Sequence, residues 1–135
     1  MSPQLGAQSP EVRPGVVSVV LVNYRGADDT ITCLRALDEL DWPREQLEMI
    51  VVDNDSGDDS VQRIRAAVPS ATVIEAGSNT GFAGGCNLGV ARATGEYVGF
   101  INNDARPDAK WVSEAITTFK AEPSVGTVPS TVPDW

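Results

Sequence analysis

Three clusters of amide and carboxylate side chains each follow an apolar run: Asn23, Tyr24 and Arg25 after VVSVVLV, Asp53, Asn54 and Asp55 after LEMIVV, and Asn102, Asn103 and Asp104 after EYVGFI. A carboxylate at the end of a buried strand can hold Mg or Mn, which takes one or two protein carboxylates and fills its shell with ligand phosphates. Asp104 is that residue in the third cluster, because Asn102 and Asn103 offer only neutral carbonyls or hydrogen bonds. Asp53 closes its strand and is placed to accept hydrogen bonds from a ligand N–H or hydroxyl. Tyr24 offers a flat face on which a planar base can stack. A glycine-rich turn, Gly77 to Gly85, lets backbone N–H groups approach a ligand closely, with Asn79 inside it and Asn87 just beyond. Each cluster alone is well explained as a helix cap or Asx turn. Three of them on one sheet edge exceed what capping requires and point to a binding cleft.

Composition narrows the chemistry. The 135 residues contain no histidine, which removes His-based triads, HExxH zinc sites and imidazole acid/base catalysis. Carboxylates must do any acid/base work. With 19 acidic against 10 basic residues the formal charge is -9, so nucleic acid and anionic membrane are repelled and a phosphate-bearing ligand needs a cation. Cys33 and Cys86 form no CxxC and read as buried free thiols. The glycines do not form GxGxxG after the first strand and no GK[ST] follows, which excludes the standard dinucleotide and ATP loops. No apolar stretch approaches the ~18 residues of a spanning helix and no signal peptide pattern opens the chain, so the expected location is cytoplasmic.

Residues 1–14, with three prolines and no periodicity, read as a flexible leader, and residues 15–135 as one domain. Val16 to Val22 is too continuously apolar for a half-exposed strand and is expected at the centre of a sheet. Asp28 or Asp29 caps a helix with Ile31, Leu34, Leu37 and Leu40 on one stripe. Leu47 to Asp53 is the second strand, Ser56 to Asp59 caps a second helix, and Ala71 to Glu75 is a short third strand. A helix from the glycine-rich turn to Ala93 precedes a fourth strand, Tyr97 to Ile101. Pro107 and Asp108 start a further helix, and Val125 to Val128 suggests a fifth strand. Alternation of this kind predicts an α/β fold with a mostly parallel, doubly wound, Rossmann-like sheet and helices on both faces.

Taken together, VSVVLVNYRG, IVVDNDSGDDS and GSNTGFAGGCNLGVARATGEYVGFINNDARP resemble the nucleotide-binding half of a family 2 glycosyltransferase of the GT-A fold, with the rhamnosyltransferase-like branch nearest. The resemblance covers about residues 16–130. It implies transfer of a sugar, with inversion, from a UDP- or dTDP-linked donor to a glycan or lipid-linked acceptor, in cell-wall or surface polysaccharide synthesis. It assigns nucleotide binding to Asn23, Tyr24, Asp53, Asp55, Asn79, Gly81, Asn87, Asn102 and Asn103. The family's DxD motif falls on Asn102, Asn103 and Asp104, with Asp104 as the ligand of Mg or Mn. Cys86 stands where the family commonly has an arginine. The general base is expected beyond Trp135, in an acceptor-binding half that also provides any peripheral attachment to the inner membrane. The chain would then be an incomplete GT-A domain. A non-catalytic nucleotide-sugar-binding module is the second reading. A sugar-phosphate nucleotidyltransferase ranks last, because VNYRGADDT lacks a basic phosphate loop.

Overall fold

The computed structural model describes residues 11–122. Its centre is β1, Arg13–Asn23, in which Val16 to Leu21 are buried without interruption. That run requires cover on both faces and partners on both edges, and it has them. β1 pairs in parallel with β2 (Leu47–Asp53) on one side and with β4 (Gly95–Phe100) on the other, while β3 (Thr72–Glu75) adds in parallel outside β2. The order is β3-β2-β1-β4.

Among the described residues four α-helices alternate with the strands: α1 (Ala27–Asp38), α2 (Ser60–Ala67), α3 (Gly81–Arg92) and α4 (Trp111–Ala121). Leu34 and Leu37 of α1, Ile64 of α2, and Val112 and Ile116 of α4 bury against Val17, Val19, Leu21, Met49 and Val51 on one face. On the other face α3 lies so close that Gly85 and Gly89 press on Val22 and Val20. The expected doubly wound α/β sheet is therefore present. On this second face Val98 and Phe100 of β4 remain open, at 39% and 45% exposure.

Several boundaries differ from the sequence expectation. β1 starts at Arg13, inside the segment read as a leader, and its pairing with β4 shifts register between Arg13 and Val17, where Gly15 takes φ +78°. Neither Asp28 nor Asp29 caps α1. Gly26 occupies the N-cap without a side-chain bond, and both aspartates sit in the first turn, where the helix dipole favours them. α2 starts at Ser60 with Asp59 as an N-cap that makes no side-chain bond. Ser56 is unavailable as a cap because its hydroxyl bonds Asp53. α4 begins at Trp111 rather than at Pro107. The expected fifth strand and most of the expected leader lie outside the described residues.

Candidate functional site

All strands run the same way, so the residues after β1, β2 and β4 collect at one edge. Asn23 and Asp53 are direct neighbours in the β1–β2 register. A cleft of about 470 Å³ opens there, lined by Val22, Tyr24, Asn54, Asn79, Gly81, Phe82, Asn102, Asn103 and Asp104. This is the carboxyl edge at which open α/β sheets bind ligands.

Of the residues expected to bind, Tyr24, Asn79, Gly81, Asn102, Asn103 and Asp104 line the cleft together. Asn23 and Asp53 are placed differently. They are buried beneath it, at 0% and 5% exposure, and their polar atoms are spent on each other and on their neighbours. Asp53 Oδ1 accepts from Asn23 Nδ2 at 2.9 Å and Ser56 Oγ at 2.7 Å, while Oδ2 accepts from Ser56 N at 3.1 Å. Asn23 Oδ1 accepts from Thr30 Oγ1 at 2.6 Å. Asp53 thus shapes the floor from below. Asp55 and Asn87 are exposed and lie outside the lining.

Three lining residues had no individual binding role assigned to them from the sequence: Val22, Asn54, named only as part of its cluster, and Phe82. Asn54 joins two loops. Its Oδ1 accepts from Thr80 N and Oγ1, at 3.2 and 2.9 Å, and its Nδ2 donates to the Gly81 carbonyl at 2.9 Å. Phe82 is 56% exposed at the start of α3, and an aromatic inside a glycine-rich turn is the signal that marks it.

The loop after β1 is held in an unusual conformation. Arg25 in it has φ 54°, a left-handed value costly for a long side chain, and Asp55 after β2 has φ 63°, which aspartate tolerates better. Ser56 secures the first: its Oγ accepts from Arg25 N at 2.8 Å and its carbonyl from Arg25 Nε at 2.9 Å. The Arg25 guanidinium then sits 5.0 Å over the Tyr24 ring, covering one face by cation–π contact. Gly26 follows because a Cβ there would meet Asn103 Nδ2 at 3.0 Å.

Among the described residues the lining contains no lysine or arginine. Asp104 is exposed and is its one carboxylate, and no group of three His, Cys, Asp or Glu side chains able to hold a metal occurs among the described residues. That donor set fits Mg or Mn in its minimal form, in which ligand phosphates and water supply most of the shell. Cys33, whose thiol lies beneath the Asn102 carbonyl at 3.7 Å, is no nucleophile. Burial pushes its pKa up to about 12 against the opposing charge of Arg106, with Asp104 adding to the rise.

These features define a doubly wound α/β domain with a polar, cation-poor cleft at the carboxyl edge of its sheet. Residues 18–134 match the family described as Glycosyl transferase family 2, and the chain belongs to that family. It is 26% identical over 106 residues to Glycosyltransferase AglE of Haloferax volcanii, covering 76% of this chain and 35% of that protein. With the Uncharacterized glycosyltransferase YibD of Escherichia coli it shares 31% over 91 residues, 65% of this chain and 26% of the relative. The chain therefore spans about a third or less of these relatives. Among solved structures, the mannosyltransferase PcManGT from Pyrobaculum calidifontis, in complex with GDP-Man and Mn2+, superposes with a TM-score of 0.77 at 30% identity, over 87% of this chain and 36% of that one. S. aureus TarS with UDP-GlcNAc gives a TM-score of 0.71 at 22% identity, over 85% and 37%, a likeness of fold. No helix among the described residues is long and apolar enough to cross a membrane.

Proposed function

We propose that residues 15–135 form the nucleotide-sugar-binding portion of an inverting glycosyltransferase, nearest to the rhamnosyltransferase-like branch of its family and serving cell-wall or surface polysaccharide synthesis on the cytoplasmic side. The observation that carries this reading is the convergence of Tyr24, Asn79, Asn102, Asn103 and Asp104 on one cleft at the carboxyl edge of the sheet. The open face of Tyr24 takes the planar base of a UDP- or dTDP-linked donor. Asn79, Gly81 and the start of α3 border the sugar-phosphate path. Asp104, with the amide oxygens of Asn102 and Asn103 beside it, would hold Mg or Mn, and such an ion would offset the charge that builds on the diphosphate leaving group as the glycosidic bond breaks. An acceptor hydroxyl on a glycan or lipid carrier attacks the anomeric carbon in line. Its proton goes to an acidic base belonging to an acceptor-binding portion.

Calorimetry with UDP, dTDP and GDP in the presence and absence of Mn tests the assignment. The wild type binds at least one of them in a metal-dependent manner and Asp104→Ala abolishes that dependence. Unchanged metal dependence in Asp104→Ala overturns it. A second reading, a nucleotide-sugar-binding module without transfer activity, is favoured by the single carboxylate in the cleft. Product formation from a nucleotide sugar by the full-length protein, and its loss in Asp104→Ala, separates the two.

A further inference from the structure

A line of hydrogen bonds, buried at its centre and part-buried at its ends, runs from Asn103 in the cleft wall to the loop after β2. Asn103 Nδ2 donates to Thr30 Oγ1 at 3.1 Å, Thr30 Oγ1 donates to Asn23 Oδ1 at 2.6 Å, and Asn23 Nδ2 donates to Asp53 Oδ1 at 2.9 Å. Ser56 Oγ donates to the same carboxylate oxygen and accepts from Arg25 N, which extends the line to the loop carrying Tyr24. Thr30 and Asn23 are both fully buried.

The line has only one possible polarity. An ionised carboxylate accepts and cannot donate, so Asn23 must turn its NH2 group toward Asp53. Its carbonyl oxygen then faces Thr30 and demands a donor. Thr30 has a single hydroxyl proton, which goes to Asn23, so its oxygen is left as an acceptor. Asn103 must therefore turn its own NH2 group inward, leaving Oδ1 as the atom with which it meets a ligand. Hydrogen bonds aligned in one direction polarise one another, which strengthens this selection.

We propose that Thr30, a helix residue that does not line the cleft, is a positioning residue that transmits the polarity of Asp53 to Asn103. Asn103 thereby presents a carbonyl oxygen, beside the Asp104 carboxylate, to the electropositive groups of a nucleotide donor: hydroxyl protons or a bound divalent cation. The inference rests on the donor-binding reading above. It differs from a simple packing role for Thr30, because packing alone is indifferent to the direction of the hydroxyl.

The test compares Thr30→Val, which keeps shape and removes the hydroxyl, with Thr30→Ser, which keeps the hydroxyl. Affinities for UDP, GDP and dTDP with Mn are measured by calorimetry, alongside thermal melting. Thr30→Val is expected to weaken binding by about tenfold or more, as losses behind a ligating residue do, and Thr30→Ser to remain within about threefold of wild type. Unchanged affinity in folded Thr30→Val, or an equal loss in both variants, overturns the proposal. If Thr30→Val does not fold, hydrogen exchange of the Asn103 side-chain amide in the wild type decides. Protection by about tenfold or more over the exposed Asn87 side chain supports the relay, and equal exchange refutes it. A wild type that binds none of the nucleotides overturns the donor reading instead, and the exchange measurement still decides the relay.

Discussion

Asn54 grips Thr80 across two loops, its Oδ1 taking both the backbone N–H and the hydroxyl of that threonine at 3.2 and 2.9 Å. Through this contact the end of β2 sets the position of the turn that opens α3. Asn54 is 3% exposed although it lines the cleft, so its amide serves the fold as well as any ligand.

Asn54→Ala should therefore be felt twice. Thr80 N, Thr80 Oγ1 and the Gly81 carbonyl lose their partner, a change worth about 1–3 kcal/mol where such groups stay shielded from water. Denaturant unfolding should register that loss. Nucleotide affinity should fall as well, because the turn carrying Asn79 and Gly81 is no longer held. An Asn54→Ala protein with wild-type stability would mean that water replaces the amide without penalty.

Gly89→Ala tests the close approach of α3 to the sheet. A Cβ at Gly89 would overlap Val20 Cγ1 and lie 3.1 Å from its Cγ2, and Val20 is fully buried in the central strand. Alanine gains about 1 kcal/mol of helix propensity over glycine. Overpacking of a rigid core costs about 1–3 kcal/mol and should win, lowering the melting temperature. Combined with Val20→Ala, the two losses should sum to less than their separate values, because the cavity of one receives the methyl of the other. Strict additivity would show that α3 shifts away instead.

The sequence made the sheet legible because β1 and β2 are apolar runs whose ends carry polar clusters, and because α1 shows a clean stripe. What it could not show is which polar residue at a strand end faces the cleft. Asn23 and Asp53, assigned to nucleotide binding, direct their side chains into a buried network, while the adjacent residue Asn54 is in the lining. Side-chain direction at a strand end depends on where the pleat stops and the turn begins, and Asp55 at φ 63° resets that geometry locally. The caps were misjudged for a related reason. Ser56 has the chemistry of an N-cap, but a buried carboxylate three residues earlier competes for its hydroxyl and wins. Phe82 is marked as unusual by being the one aromatic of a glycine-rich turn, but that signal does not say whether the ring faces open water or a cleft.

At the opposite edge of the sheet Glu48 supplies a pH-dependent contribution to stability. Burial works against its charge and would raise its pKa, but hydrogen bonds from Ser18 Oγ at 2.6 Å and from Thr94 N and Oγ1 at 2.9 and 3.1 Å outweigh it. Arg13, 3.7 Å away, adds to the effect, and the carboxyl is held below its ordinary value. Because the folded pKa lies below the unfolded one, the contribution is fully present above the ordinary glutamate range and is lost as pH falls through the folded value. The same carboxylate ties β1 to the residue that precedes β4, so its protonation should loosen the start of that strand. In Glu48→Gln the neutral amide removes this titration. Urea unfolding from about pH 6 to about pH 3 should show the wild type more stable at the upper end and the gap to Glu48→Gln closing toward the lower. A gap that stays constant across that range would mean that Thr94 and Ser18 bond the glutamate equally well in its protonated form.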